Sequence, residues 1–210
     1  MKLLLSLLIC VLLSACVPQN VKRDNSAFQA AAPRSILVVP VVNKSLDVDA
    51  PSYMLATLPV PIAEKGYYVF PVNTTKFILE QEGLYEPEKI REMPAPSLAK
   101  MFDADAVLYV TIHRWDAQYA VITTTVTVEF EYSLVTKDGT KIWDAKQRMQ
   151  WAPQNNSSGP PIAQLIGALV NAAVARAAPN YMPLTNQANS QVFIMGPTAI
   201  PDGPYRVQKN

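Results

Sequence analysis

The run of alternating residues from Ile122 to Leu134 constrains the fold more than any other feature of the chain. One face carries apolar side chains and the other carries Thr, Glu and Ser, which is typical of a strand with one buried and one solvated face. The apolar face comprises Ile122, Val126, Val128, Phe130, Tyr132 and Leu134. Lys137-Asp138-Gly139 follows as a hairpin signal. The returning strand places Trp143, Ala145, Met149 and Trp151 on one side, so the sequence predicts a long antiparallel ribbon.

Further apolar runs predict the remaining sheet and its helices. Strands are predicted at 36–42, where Pro40 indicates an edge contact or bulge, at 67–72 and at 106–115. Helices are predicted at 52–65, kinked or split by Pro59 and Pro61, and at 74–84, 96–102 and 162–177. We therefore predict an α/β fold class with a mixed sheet of the α+β type. The chain forms a single domain, in which a mixed parallel and antiparallel sheet of about five strands has helices packed on it.

The helix predicted at 162–177 is apolar on nearly all sides. Such a helix must be covered on more than one side. It either packs on the sheet as a core helix, or it also receives a partner or a second copy on its Ala- and Gly-rich face.

Composition narrows the class of function. The chain has 210 residues, 50% of them hydrophobic and 17% charged, which is typical of one folded domain with extensions. Its formal charge of +1 offers no patch for a polyanion, so nucleic-acid binding is not expected. His113 is the single histidine, which disfavours His-rich metal sites and His-based triads.

The N-terminus predicts secretion and a lipid anchor. Met1-Lys2, the apolar stretch Leu3–Leu13 and the small residues after it form a secretory signal over residues 1–15. That stretch is too short to span a bilayer. Leu13-Ser14-Ala15-Cys16 resembles the bacterial lipobox, which implies cleavage before Cys16 and lipid on its sulfur and amine. The alternative is a chance cysteine after an ordinary signal peptide.

Lipidation of Cys16 would set the location and the domain layout. We expect no cofactor beyond the covalent diacylglycerol and N-acyl lipid on Cys16, which bind the membrane strongly. Val17, where inner-membrane lipoproteins typically carry Asp, favours the periplasmic face of the outer membrane, with surface exposure as the alternative. Residues 16–35 are predicted to be a flexible tether, 36–180 the domain, and 181–210 a Pro-rich extension draped over the domain or a partner.

Few residues are candidates for chemistry. His113 ends a predicted strand, and no nucleophile motif accompanies it. Asp47 and Asp49, near Asn43 and Ser45, either hold a hard cation or form turns and caps. Asp103 and Asp105 form either a carboxylate pair or a helix-to-strand turn. We therefore predict no enzyme, no catalytic residue and no metal site.

Aromatic residues offer two binding hypotheses. Gly66-Tyr67-Tyr68 is either a helix end before a strand or, if the tyrosines are exposed, an interface. Tyr109, Trp115 and Tyr119 are candidates to line a pocket for a small molecule or peptidoglycan.

Three blocks of the chain resemble a family of bacterial lipoproteins of unknown function. They are Ile36–Ser45 with Asp47–Pro51, Glu64–Val72, and Ala104–Ile112 continuing through Trp115 and Tyr119. The resemblance covers the lipobox and most of residues 36–175 and weakens after 180. A conserved neisserial vaccine antigen is the member that we expect to be most similar.

That resemblance implies a fold, partners and a role. The fold implied is similar to the amino-terminal domain of TolB, and the implied partners are curli-secretion-channel-like envelope proteins and a second copy in a homodimer. The implied role is that of an accessory component of outer-membrane transport or assembly. The alternative function is a small-molecule or peptidoglycan-binding module.

Overall fold

One mixed sheet of six strands organises the protein. The computed structural model describes residues 23–119, 124–151 and 181–207. The strands are β1 Ser35–Val38, β2 Val42–Asn43, β3 Tyr68–Val69, β4 Ala106–Tyr119, β5 Thr124–Thr136 and β6 Lys141–Trp151. Their order is β3-β1-β4-β5-β6, with β2 also paired to β4. The first three strands join the sheet in parallel, whereas β4, β5 and β6 form an antiparallel meander, so the predicted mixed α/β fold is confirmed.

Helices pack on both faces of this sheet. They are α1 Ser26–Ala31, α2 Ala50–Thr57, α3 Pro59–Glu64, α4 Val72–Gln81, α5 Pro87–Glu92, α6 Ala95–Phe102, α7 Met182–Ser190 and a π-helix, Gln191–Met195, which continues α7. On one face, α1, α2, α3, α7 and the π-helix cover a core that includes Phe130 and Trp143. On the other face, α4, α5 and α6 cover a smaller core around Val107 and Tyr109. Within the described ranges, no helix has the length and hydropathy needed to cross a bilayer.

Prolines set several element boundaries. The strand predicted at 36–42 is interrupted around Pro40, which lacks the N–H that a continuous strand would use. The predicted break in the helix at 52–65 is confirmed, because α2 ends at Thr57 and α3 begins at Pro59. The strand predicted at 67–72 was too long, since Pro71 with φ −59° starts α4 at Val72. Helix α5 was not predicted from the sequence.

The meander follows the predicted ribbon closely. The hairpin turn is confirmed, with Gly139 at φ 85° in the left-handed region. The solvated face is less exposed than predicted, because Thr127 is 1% and Ser133 8% exposed. Ile122 and the helix predicted at 162–177 lie outside the described residues.

Both ends of the described chain differ from the flexible tether and the extended C-terminal tail that the sequence predicts. Within the predicted tether, α1 forms and Phe28 is buried beneath it, with its ring centroid 6.1 Å from that of Tyr67. Within the predicted C-terminal extension, α7 buries Leu184 and Ala188 against the sheet. The physical reason is the same at each end: the large sheet face needs cover, and these segments provide it.

Candidate protein-association surface

The loop between β2 and α2 exposes two aliphatic side chains almost completely. Leu46 is 101% and Val48 is 85% exposed. The loop leaves the sheet at Lys44, whose N–H donates to the carbonyl of Ile112 at 2.8 Å. Leu46, the first apolar residue of the loop, is therefore only two residues from the sheet.

Hydrogen bonds within the loop hold this exposed conformation. Asn43 Oδ1 accepts from the N–H and the hydroxyl of Ser45 at 3.0 and 2.7 Å. Asn43 Nδ2 donates to the carbonyl of Asp47 at 2.8 Å, and Asp47 Oδ1 accepts from the N–H of Asp49 at 2.9 Å. These are Asx-type turns, in which side chains satisfy the backbone locally. Leu46 and Val48 are thus presented by a fixed loop.

The same bonds are those that the turn interpretation of Asp47 and Asp49 predicts. Their loop places the oxygens of Asn43, Ser45 and Asp47 on its own N–H groups, as the turn interpretation requires. In the described part of the chain, no group of three or more His, Cys, Asp or Glu side chains is arranged to hold a metal ion.

An aromatic stack lies at the start of α2, the helix that follows the loop. Tyr53, which is 42% exposed, lies 5.9 Å from Trp115 at an interplanar angle of 17°. Trp115 is 3% exposed and stacks in turn on Tyr181 at 4.8 Å. Its indole Nε1 is buried without a hydrogen-bond partner. Leu46, Val48 and Tyr53 together are called the apolar loop surface below.

The predicted aromatic pocket is not formed by Tyr109 and Trp115. A register shift between Ile112 and Arg114 marks a β-bulge in β4, which reverses the alternation of faces beyond it. Tyr109 therefore belongs to the core under α4–α6, and Trp115 to the core on the opposite face. Burial raises the pKa of Tyr109, which lies under the Arg91 guanidinium at 4.6 Å. The side chain of Tyr119 is outside the described part.

His113, at the bulge, is paired with a carboxylate. Its Nε2 is 2.9 Å from Glu131 Oε2, and the Lys146 ammonium lies 3.5 Å from the same oxygen. The hydrogen bond from His113, assisted by Lys146, lowers the pKa of Glu131. All three side chains are at least a quarter exposed on the polar face of the meander. The arrangement is a surface ion-pair network.

Asp103 and Asp105 have separate positions and roles. Asp103 ends α6 with φ 54°, a left-handed conformation that Asp tolerates. Asp105 accepts from the N–H of Arg34 at 3.0 Å and from the Lys137 ammonium at 3.0 Å. Burial opposes ionisation of Asp105, but these bonds and charges outweigh it and lower the pKa. Asp105 thus joins the N-terminal segment to the β5–β6 turn.

The Gly66-Tyr67-Tyr68 block ends a helix before a strand, as predicted, and exposes one of its two tyrosines. Gly66 follows α3 with φ 88°, and Tyr67 is 4% exposed, with its hydroxyl donating to the carbonyl of Pro201 at 2.7 Å. Burial, with the Asp202 carboxylate nearby, raises the pKa of Tyr67. Tyr68 is half exposed on the edge strand and packs edge-to-face on Phe70.

A cavity of about 310 Å³ lies beside Tyr67. One wall comes from Phe28, Ala32 and Pro33, and the other from residues 201–204. The sequence did not indicate this cavity, because one wall belongs to the predicted flexible tether and the other to the predicted C-terminal extension. Cys16, the predicted lipid attachment site, lies outside the described residues.

The family model and the relative that match this chain carry the same kind of description. Residues 23–205 match the family described as "Putative lipoprotein GNA1162-like". The chain is 34% identical over 174 residues to "Putative lipoprotein NMB1124/NMB1162" of Neisseria meningitidis serogroup B, covering 82% of this chain and 79% of that protein.

Two solved structures resemble this chain, and they differ in sequence identity and TM-score. The crystal structure of lipoprotein GNA1162 from Neisseria meningitidis is 34% identical with a TM-score of 0.56, covering 70% of this chain and 100% of that one. A PelC dodecamer from Paraburkholderia phytofirmans is 16% identical with a TM-score of 0.39, covering 68% of this chain and 85% of that one.

Proposed function

Because the chain belongs to the GNA1162-like family of lipoproteins, we propose that it is a lipid-anchored envelope protein that acts by binding another protein through the apolar loop surface. Nearly complete exposure of Leu46 and Val48 on a loop fixed by its own hydrogen bonds is the observation that carries this proposal. A fixed loop loses little conformational entropy on binding, and burial of each aliphatic side chain would contribute about 1.5–3 kcal/mol. Tyr53 adds an aromatic of the kind enriched at binding hot spots.

The anchor and the finer role belong to the same proposal. Cys16 carries the lipid, and Val17 directs the protein to the outer membrane with its domain in the periplasm. The protein serves there, without catalysis of its own, as an accessory component of a transport or assembly system. A curli-secretion-channel-like protein is the partner that the family resemblance favours, and a second copy of this chain is the other.

Site-specific photo-crosslinking in intact cells tests the binding surface. A photoreactive amino acid replaces Leu46 in one variant and Val60 in the other. Val60 is a matched control, since it is also aliphatic and is 60% exposed, on α3 and not on the loop. We expect a discrete crosslinked product from position 46 and none from position 60. Mass spectrometry of the product distinguishes a channel-like partner from a second copy.

A pair of charge variants completes this test. Val48→Asp is expected to reduce the crosslinking yield at position 46 at least tenfold, whereas Val60→Asp leaves it unchanged. Both variants should keep the thermal stability of the parent, because both side chains are exposed. Equal yields at positions 46 and 60, or insensitivity to Val48→Asp, would contradict the proposal.

The cavity beside Tyr67 favours a second candidate function, the binding of a small molecule or peptidoglycan fragment. Its volume of about 310 Å³ is within the range of small-ligand sites. Soluble peptidoglycan fragments should then raise the melting temperature of the parent protein. Gln29→Trp, at the rim of the cavity, should abolish that rise. The absence of any shift in the parent would remove this alternative.

A further inference from the structure

The N-terminal segment meets the domain at the start of the edge strand β6. The Arg23 guanidinium lies 5.7 Å above the ring of Trp143 and 3.7 Å from the carboxylate of Asp144. Five residues later, Phe28 is 3% exposed against Tyr67. The chain is therefore held to the domain from Arg23 onward.

This docking leaves a short connection between the lipid and the domain. Seven residue steps separate Cys16 from Arg23, and they span at most about 25 Å when fully extended. A globule of this size is about 40 Å across. The connection is thus too short for the domain to present every side to the membrane equally.

We propose that the side of the domain formed by Arg23 and the exposed face of β6 binds the membrane surface that holds the anchor, through lipid phosphate groups. The proposal rests on lipidation of Cys16 in the proposed function. The cationic side chains that would contact phosphate are Arg23, Lys141, Lys146 and Arg148, and this set is called the β6 cationic face.

Charge and exposure on β6 support a phosphate surface as the partner. Lys141 and Lys146 have side chains 61% and 76% exposed, and Arg148 is exposed on the same strand. Asp144 is the one acidic residue of β6, and it already has Arg23 and Lys141 within 4 Å. The neighbouring carboxylate of Glu131 is bonded to His113 as well as to Lys146. Glu129 on β5 is in register with Arg148. The four cations of the β6 cationic face therefore exceed the three carboxylates of β5 and β6 by one positive charge.

The apolar loop surface lies away from this face. β2, which precedes the loop, lies on the far side of β4 from β5 and β6. At about 4.8 Å per strand, roughly 14 Å separate β2 from β6. Along the strands, Lys146 is level with Thr111 and so with Val42 of β2, which means that the separation is across the sheet and not along it. This lateral distance is what leaves Leu46 and Val48 free to meet a protein when β6 contacts the membrane.

Spin labels on the lipidated full-length protein test this orientation. The predicted mature chain contains no cysteine except Cys16, so an introduced cysteine is the one free thiol. Thr140→Cys places the label beside the start of β6, and Glu88→Cys places it on α5; both positions are exposed. Leu46→Cys reports on the loop. Each protein is reconstituted into vesicles of phosphatidylethanolamine and phosphatidylglycerol containing a nickel-chelating lipid, which relaxes labels near the headgroups.

The expected result is relaxation at position 140 several-fold stronger than at positions 88 and 46. The double substitution Lys146→Glu and Arg148→Glu should remove most of this difference, whereas Lys76→Glu with Lys89→Glu, on α4 and α5, should not. Equal relaxation at positions 140 and 88, or no effect of the β6 charges, would overturn the inference while leaving the anchor intact. Strongest relaxation at position 46 would overturn both this inference and the protein-binding role of the loop. Intact mass measured beforehand reports on lipidation separately, and absence of lipid would refute the anchor itself.

Discussion

Asn189 connects three elements through one buried amide. Its Oδ1 accepts from the Tyr132 hydroxyl on β5 at 2.7 Å, and its Nδ2 donates to Thr57 Oγ1 at the end of α2 at 2.9 Å. Asn189 and Tyr132 are both 0% exposed, and burial raises the pKa of Tyr132 well above its ordinary value. A buried amide of this kind stabilises the fold only while each polar group keeps its partner.

Removal of that amide should therefore be costly. Asn189→Leu leaves the Tyr132 hydroxyl without its acceptor and Thr57 without one donor, and we expect a loss of about 2–4 kcal/mol in the free energy of unfolding. Urea denaturation provides the measurement. Asn186→Ala, an exposed position on the same helix, is the control and should cost less than about 0.5 kcal/mol. Similar losses for both variants would mean that the buried amide contributes nothing specific.

Ionisation of Asp105 should make the free energy of unfolding depend on pH under acidic conditions. Its pKa in the folded protein is below the ordinary value of 3.8, so ionised Asp105 stabilises the fold at neutral pH, and that contribution is lost as the pH falls through the lowered pKa. Asp105→Asn should reduce stability by about 1–2 kcal/mol at neutral pH. The difference from the parent should shrink at about pH 2. Denaturant melts at both pH values check this, with exposed Asp103→Asn as the control; a difference independent of pH would refute it.

At the scale of elements, the C-terminal segment docks on the turn after α3, where two stretches of backbone come into contact. The N–H of Gly203 donates to the carbonyl of Lys65 at 2.7 Å, and the N–H of Tyr205 donates to the carbonyl of Gly66 at 3.0 Å. A Cβ on Gly66 would lie 2.2 Å from the backbone nitrogen of Arg206. This contact fixes residues 201–206 over the end of α3.

Two glycine substitutions separate crowding from backbone preference. Gly66 and Gly83 have φ values of +88° and +77°, so alanine costs about 1–2 kcal/mol at either position. A Cβ on Gly83 meets nothing within 4 Å. We expect Gly66→Ala to destabilise the protein by a further 1 kcal/mol or more, about the cost of an overpacked contact, and to expose residues 201–206 to limited proteolysis. Equal stability and equal cleavage of the two variants would show that the segment can move aside.

Some elements could be predicted from their sequences because one physical signal dominated. The period-two pattern and the Gly139 turn predict the β5–β6 hairpin, and Pro59 predicts the break between α2 and α3. Helix α7 was missed because its buried side includes Thr185 and Asn189, polar residues whose partners belong to distant elements. The reversal of faces at His113 was missed because a bulge adds one residue without a compositional mark.

At the scale of the whole molecule, the N-terminal segment is part of the fold. Phe28 is buried, and the N–H and guanidinium of Arg34 both contact Asp105. A chain that begins at Ser35 should unfold with about 3–5 kcal/mol less stability than one that begins at Arg23, the usual cost of removing a core Phe. Thermal and urea melts of the two chains measure this. Equal stability would mean that α1 is only loosely attached.

The candidate site was accessible to sequence reasoning only in part. Asn43, Ser45 and Asp47 mark the loop as a set of turns, and this was predicted. Exposure of Leu46 and Val48 was not, since apolar residues in a short loop can equally fold inward. The cavity beside Tyr67 depends on two segments about 170 residues apart in the chain meeting at one side chain, and no local pattern encodes such a contact.

The placement of α7 and the π-helix has a consequence for the order in which the protein matures. The meander from β4 to β6 pairs neighbours in sequence, so it can form early. Its buried face, however, carries Tyr132 and Trp143, whose rings pack against Phe193 near the C-terminal end. A chain emerging N-terminus first must therefore keep this aromatic face uncovered until residues 182–195 arrive. Until then the unfinished protein exposes the kind of apolar surface that favours aggregation.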